Sequence, residues 1–361
     1  MKVLALTPYP EQDASTRYRI GQFRGWLAER GVDVTLAPML APAEFARMYR
    51  PGGFAQKSLD WLRAAGRRRA QLASARDYDA VFVHRTVWPL KAPALERGLL
   101  QRGGRFVFDF DDAVFLPNSS AANRALAFLR APEKSDWLAA HARAVTAGNA
   151  FLARWAAGHA SPGARVFEVP TAIDTARWSP RPSAREPGGI RLGWIGSHST
   201  APYLEALAPA IERVARRHPG LRLVIIGAES ARFPGITELV PWREDTEVDA
   251  LARVDIGLAP LPDSEWSKGK CGLKLLQSMA LGKPVVASPV GVHPAMIEAG
   301  VQGFLPADED AWVDALERLI ADPELRRTMG ERGRARVEER YSIAAVAPRL
   351  LEALHYAAEA A

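Results

Sequence analysis

Apolar, β-branched-rich blocks at 3–7, 32–36, 80–83, 106–108, 144–146 and 166–169 are too short for helices and read as strands. Between most of them apolar positions recur every three or four residues, at 16–29, 58–76, 93–101, 133–142 and 149–157, which is the helical period. Strands that are apolar on both faces and separated by helices predict a mostly parallel sheet with helices on both sides. The stretch PRPSAREPGG at 180–189 breaks the pattern and reads as an interdomain linker. A second series follows, with strands at 192–195, 221–226, 255–259 and 284–287. Its helices are at 203–217, 272–281, 308–320 and 324–339, and an amphipathic stretch at 344–358 closes the chain. The pattern predicts an α/β protein of two halves.

Composition supports two domains, since 361 residues with 48% hydrophobic content can bury two cores. The single cysteine, Cys271, excludes an intramolecular disulfide and a cysteine-rich zinc site, and fits the reducing cytoplasm. The opening MKVLALTPYP is too short an apolar run for a signal peptide. No segment approaches the roughly 20 apolar residues of a spanning helix, so the expectation is a soluble or peripheral protein. A net charge of +6 admits an anionic partner. No nucleic-acid-binding signature accompanies it, which leaves nucleoside diphosphates and anionic lipid surfaces. Arginine dominates the basic residues, yet half of the lysines, Lys268, Lys270, Lys274 and Lys283, fall in one short segment.

Ligands of open parallel sheets bind beyond the carboxyl ends of strands, and four such ends carry candidate chemistry. After 192–195 the chain reads GSHSTAP. Gly196, Ser197 and His198 with the helix start behind them could hold a diphosphate, or the serines could simply cap the helix. In SKGKCGLKLLQ, Lys268 and Lys270 lead into a helix carrying Lys274 and Gln277. Lys270 and Lys274 are four apart and could share a helical face, where an anion would relieve their conflict with the helix dipole; the alternative is a solvated basic rim. In RFVFDFDD, Asp109, Asp111 and Asp112 crowd one strand end and need cations or hydroxyls to relieve their repulsion. The first loop, DASTRYR, offers Ser15, Thr16, Arg17 and Arg19, of which Arg17 is the candidate for donor or acceptor contact. His84 and Arg85 end another strand and are candidate acceptor contacts.

From about residue 190 to 342 the chain resembles glycosyltransferase family 4. The segments LRLVIIGA, DIGLAPLPDS, LKLLQSMALGKPVVASPVGVHPAMI, GVQGFLPADEDAW and LIADPELRRTMGERGRARVEERYS carry the resemblance in order, and EVPTAIDTARWSP is similar to the family's junction element. The resemblance implies a GT-B fold: two Rossmann-like domains facing across a cleft, with a C-terminal helix crossing back to the first domain. Its expected limits are 1–172 for the acceptor domain, 173–189 for the linker, 190–343 for the donor domain and 344–361 for the returning helix. It implies a retaining transfer of a sugar from a nucleotide-sugar donor to an acceptor hydroxyl on a glycan, a lipid-linked sugar or a small glycoside.

The chain departs from the family in its site. Members usually carry two glutamates with seven residues between them; here those positions are Gly269 and Gln277. The Arg and Lys usual after the first glycine are also missing, since Ser197 follows Gly196 and no lysine lies between it and Pro219. The expected assignments are Asp111, Asp112 and Lys274 as catalytic, with Lys274 and Lys270 on the leaving diphosphate. Gly196, Ser197, His198, Lys268, Lys270 and Gln277 are expected to contact the donor, and Arg17, His84 and Arg85 the acceptor. No metal is expected, so activity should survive EDTA. Two alternatives stay open: a decayed transferase serving as a nucleotide-binding or scaffold protein, and a metal-dependent GT-A enzyme using the Asp109–Asp111 string. Peripheral membrane contact through Arg63 and Arg67 to Arg69 is a further expectation. Its alternative is an ordinary surface helix, since Gly66 interrupts the run and the arginines wrap around it.

Overall fold

A computed structural model describes residues 1–48, 52–89, 94–100, 105–117, 133–181, 189–228 and 233–359. The chain divides into two compact units, each described by itself below. Unit 1 comprises Met1–Thr171, Gly269–Cys271 and Val346–Ala361; unit 2 comprises Ala172–Lys268 and Gly272–Ala345. Residues 182–188 of the expected linker lie outside the described residues.

Unit 1 holds strands β1 (Lys2–Thr7), β2 (Asp33–Pro38), β3 (Ala80–His84), β4 (Phe106–Phe110), β5 (Ala144–Ala147) and β6 (Arg165–Glu168). They form one sheet in the order β2-β1-β3-β4-β5-β6, and every pairing is parallel. β3, β4 and β5 are buried along their whole length, which is why they read as unbroken apolar blocks. Unit 2 holds β7 (Arg191–Ile195), β8 (Arg222–Ile226), β9 (Thr237–Val240), β10 (Ile256–Ala259), β11 (Val285–Ala287) and β12 (Gly303–Phe304). Their order is β12-β11-β10-β7-β8-β9, again parallel throughout. β9 and β12 have no counterpart in the sequence reading. They are edge strands, one half-exposed and one only two residues long, so neither writes an apolar block.

The strand orders fix where ligands can bind. In unit 1 the chain passes from β1 to β2 on one side and then back to β3 on the other, so the order reverses between β1 and β3. In unit 2 the same reversal falls between β7 and β10. At a reversal the flanking connections leave in opposite directions and open a crevice at the strand carboxyl ends.

Two expected helices are broken. The stretch 16–29 becomes Ala14–Arg19, a 3₁₀ turn at Gly21–Phe23 and Arg24–Ala28. The stretch 203–217 becomes Ala201–Glu205 and Ala208–Arg217, with Pro209 in the first turn of the second. The helix Ala208–Arg217 places Ile211 and Val214 in a core shared with Trp194, Ile225, Trp312 and Leu316.

The helix Phe54–Ser74 corrects the basic-surface expectation. Arg68 is fully buried and Arg67 turns inward to Glu44 at 2.8 Å, so only Arg63 and Arg69 of the four keep exposed positions. Arg68 sits eight residues after buried Asp60 and four after buried Ala64, on the inner face of the helix. No described helix is long and apolar enough to cross a membrane.

Candidate functional site

At the β1–β3 crevice of unit 1, the short helix Ala14–Arg19 follows β1 and is capped by Asp13, whose Oδ1 accepts from the Ser15 N–H at 2.9 Å. Burial pushes the Asp13 carboxyl above its usual range, against the Ser15 hydrogen bond and the charge of Arg85. Ser15 Oγ lies 2.6 Å from His84 Nε2, and His84 Nδ1 lies 2.7 Å from Asp109 Oδ2. Arg19 donates through Nε and Nη2 to both Asp109 oxygens, and Thr146 Oγ1 donates to Oδ1 at 2.7 Å. Burial alone would raise Asp109; the Arg19 charge and the donated hydrogen bonds outweigh it and hold the carboxyl below its usual range.

Arg85 follows His84 and is the one non-glycine residue with positive φ, 61°, among the described residues. Such a conformation costs on the order of 1–3 kcal/mol and persists where surrounding bonds impose it. Its N–H donates to Asp109 O at 2.7 Å, and its guanidinium reaches Asp111 Oδ1 at 2.6 Å and Asp112 Oδ2 at 2.8 Å. Burial would raise Asp111, but the neighbouring Arg85 holds it well below the usual carboxylate range. Lys270 Nζ reaches Asp112 Oδ1 at 2.7 Å. The repulsion expected of the three aspartates is therefore relieved by Arg19, Arg85 and Lys270. The Asp109–Asp111 string is engaged by these cations, and no described group of three His, Cys, Asp or Glu residues is placed to hold a metal.

Gly269 belongs to this unit. A Cβ there would lie 2.7 Å from Ala113 N and 2.8 Å from Ala113 Cβ, so the position packs against backbone and has no room for a carboxylate side chain. Cys271 is buried beside it, with Sγ 3.2 Å from Asp111 O, and burial pushes its thiol well above the usual range. Arg17 is also buried, its guanidinium 5.0 Å from the Tyr18 ring centroid.

Unit 2 has its own constellation at the β7–β10 crevice. Lys274 is the second residue of the helix Leu273–Ala280, so its cation opposes the helix dipole. Its Nζ sits 4.0 Å from the centroid of the Trp194 ring and 3.4 Å from Thr200 Oγ1. A Cβ at Gly196 would come within 2.7 Å of that ammonium and 2.4 Å of the ring, so only glycine lets the turn pass this close. Ser197 and His198 are exposed on the turn, and Ser197 Oγ pairs with Ser199 Oγ at 2.8 Å. The helix behind it, Ala201–Glu205, has five residues. So few aligned peptides make a weak dipole, and Lys274 becomes the principal positive group at the turn.

The other lysines are placed differently. Lys268 Nζ pairs with Glu265 at 2.6 Å, and Lys270 precedes the helix, so it shares no helical face with Lys274. Gln277 is buried in the helix. Thr200 belongs to the helix start expected at the donor turn, whereas Trp194 and His293 carry no signal in the sequence that marks them as site residues. His293 Nδ1 donates to Ser288 O at 2.9 Å. Burial, together with the Lys274 charge, lowers its pKa to about 4 despite that bond.

This has a consequence for stability. Between about pH 6.5 and 4 the unfolded chain takes up a proton at His293 that the folded chain refuses, so stability falls with pH across that window. The expected contribution is about 2 kcal/mol between pH 7 and 5. His293→Asn keeps a donor for Ser288 O and removes the titration. Urea unfolding at the two pH values should show a loss smaller by that amount in the variant; equal losses would contradict the assignment.

Residues 189–322 match the family model described as "Glycosyl transferases group 1". These residues form a glycosyl transferases group 1 domain. The chain is 28% identical over 201 residues to a D-inositol 3-phosphate glycosyltransferase of Actinosynnema mirum, covering 47% of each protein. It is 28% identical over 198 residues to a GDP-mannose-dependent alpha-(1-6)-phosphatidylinositol monomannoside mannosyltransferase of Mycolicibacterium smegmatis, covering 48% of this chain and 52% of that protein. The chain thus spans about half the length of the curated relatives it matches. Among solved structures, sucrose-phosphate synthase of Thermosynechococcus elongatus superposes with a TM-score of 0.73 at 17% identity, covering 99% of this chain and 100% of that one. HepE of Anabaena, solved with UDP and glucose, gives 0.68 at 15% identity, covering 98% and 99%. The group 1 domain thus belongs to a chain of two Rossmann-like parallel-sheet domains of the GT-B type.

Proposed function

We propose that the protein is a retaining glycosyltransferase that binds a nucleotide-sugar donor on unit 2 and an acceptor hydroxyl, on a glycan, lipid-linked sugar or small glycoside, on unit 1. The observation that carries the donor half is the Lys274 ammonium, held over Trp194 against the Gly196–Thr200 turn at the β7–β10 crevice. A cation fixed against a helix dipole and an aromatic face is arranged for an anion, and a departing diphosphate supplies one. Structural neighbours solved with UDP and with UDP-glucose support this reading. Lys270, engaged by Asp112, leaves the leaving-group role to Lys274. Asp111 and Asp112, oriented by Arg85 and Lys270, would order the acceptor hydroxyls. The scheme needs no metal, and its setting is the cytoplasm, with any membrane contact peripheral.

A second reading, a nucleotide-binding protein without transfer, is favoured by Gly269, whose packing against Ala113 excludes the carboxylate that the family carries there. Thermal unfolding with UDP, dTDP, GDP or ADP in the presence of EDTA, followed by transfer assays, separates the two. One nucleotide should stabilise the protein by about 2.7 kcal/mol at a hundredfold excess over Kd. Lys274→Ala should weaken that binding by about 1.5–3 kcal/mol, roughly 10- to 150-fold. Unchanged affinity would remove Lys274 from the donor site, and stabilisation without sugar release would favour the second reading.

A further inference from the structure

The helix Phe54–Ser74 of unit 1 has its polarity reversed. Its inner stripe, Asp60, Ala64, Arg68 and Leu72, is buried and carries two charges. Positions 55, 59, 62, 66, 70 and 73 recur at helical spacing and form the opposite stripe. They are Ala55, Leu59, Leu62, Gly66, Ala70 and Ala73, all exposed, with Leu62 at 71% and Leu59 at 42%. Phe54, which opens the helix, is 81% exposed. A Cβ at Gly66 would meet nothing within 4 Å, so the middle of the stripe is open. Scattered exposed leucines are ordinary, but a surface helix turns its apolar stripe inward and its polar face to water. The charges around the stripe are sorted too. Residues 42–74, which include the preceding helix Pro42–Met48, contain two carboxylates, Glu44 and Asp60, and both face inward. Glu44 takes Arg67 at 2.8 Å, and Asp60 takes Arg47 at 2.9 Å. Arg63 touches Asp60 at 3.6 Å yet is 54% exposed, and Arg69 is exposed as well. By their spacing these two arginines flank the stripe on opposite sides. The next carboxylate, Asp77, lies beyond the helix.

We propose that this face of unit 1 docks on an anionic lipid surface. The helix lies along the surface, Phe54, Leu59 and Leu62 enter the boundary between headgroups and acyl chains, and Arg63 and Arg69 meet lipid phosphates. The contact is made by the apolar stripe with cations at its margins. It is not made by the arginine run itself, since Arg67 and Arg68 face inward. A second copy of the chain is the poorer occupant. Pairing two such faces brings Arg63 and Arg69 of each copy together with no outward carboxylate to answer them, and like charges across an interface are costly. The docking does not depend on sugar transfer. Joined to that reading, it narrows the acceptor to a hydroxyl presented at a lipid surface.

The test is co-sedimentation of the full chain with vesicles of phosphatidylcholine alone and of phosphatidylcholine mixed with phosphatidylglycerol. The mixed vesicles should bind the protein, the neutral ones far less, and binding should fade as salt rises. Phe54→Ser combined with Leu62→Ser should weaken binding about tenfold or more, through the apolar area no longer buried. Arg63→Gln should weaken it about fivefold. These positions are exposed, so urea midpoints should stay near that of the native protein. Leu239→Ser, at an exposed leucine on β9 of unit 2, is the control and should bind as the native protein does. No binding to the mixed vesicles, or native binding by the Phe54 and Leu62 double variant, overturns the docking. A dimer in sedimentation without lipid that the double variant abolishes also overturns it and assigns the stripe to a second copy. None of these results alters the thermal shift given by a nucleotide, so failure of the docking and failure of the donor reading are told apart.

Discussion

Replacing Asp109 by Asn should lower the unfolding free energy by about 3–5 kcal/mol, the cost of leaving one member of a buried ion pair uncompensated. Asp109 and Arg19 are 0% and 1% exposed, and the guanidinium has no route to solvent once the carboxylate is gone. Asparagine fills the same volume, so the loss reports charge and not a cavity. Asp112→Asn is the control. Its carboxylate is 17% exposed and shares Arg85 with Asp111, so the change should cost about 1 kcal/mol or less. Urea unfolding of the two variants at pH 7 decides the matter, and equal midpoints would show that the Arg19–Asp109 pair is not a structural anchor. The sign with pH follows from the depressed Asp109 carboxyl. Its stabilisation is fully present above the unfolded carboxylate range near 3.9 and is lost only as the pH falls through the lower folded value.

The second large effect separates two adjacent arginines. Arg68 donates to Thr7 O at 2.7 Å, to Ala37 O at 3.1 Å and to Gln71 Oε1 at 2.9 Å. These bonds tie the helix Phe54–Ser74 to the carboxyl ends of β1 and β2. Burial lowers the Arg68 pKa, a desolvation cost that the carbonyl bonds offset. Arg68→Ala should destabilise by about 2–4 kcal/mol, from lost charged hydrogen bonds and the space left behind. Arg69 is exposed, and Arg69→Ala should change stability by no more than about 0.5 kcal/mol. A basic membrane-facing helix carrying both arginines outward would give no such difference, with both variants stable and both weakened on anionic vesicles. Thermal unfolding and vesicle co-sedimentation of the two variants distinguish these outcomes.

The lysine cluster shows where reading the chain stops. Lys268, Lys270 and Lys274 are close in sequence and were read as one group, yet they meet Glu265, Asp112 and Thr200 respectively. Asp112 is 158 positions from Lys270, a pairing that no local spacing could show. Arg17 is the loop's candidate for donor or acceptor contact in the sequence, but its side chain is buried, and Arg19 carries the ion pair. His84 and Asp109 were both recognised as strand ends, while the line joining them to Ser15 needs β1, β3 and β4 side by side in one sheet.

What the sequence determined by itself was set by local physics. Apolar blocks that are buried on both faces specify β1, β3, β4, β5, β7 and β8 and their parallel class, because a chain alternating such blocks with amphipathic helices has few other ways to bury them. The strand ends, and with them the positions of Gly196, His84 and Asp109, followed from the same blocks. What the tertiary structure alone decided was partnership: which carboxylate each cation meets, which face of Phe54–Ser74 turns inward, and that Gly269 lies against Ala113. Those choices depend on contacts between residues far apart in the chain, where charge, burial and close backbone approach act together and leave no periodic trace in the sequence.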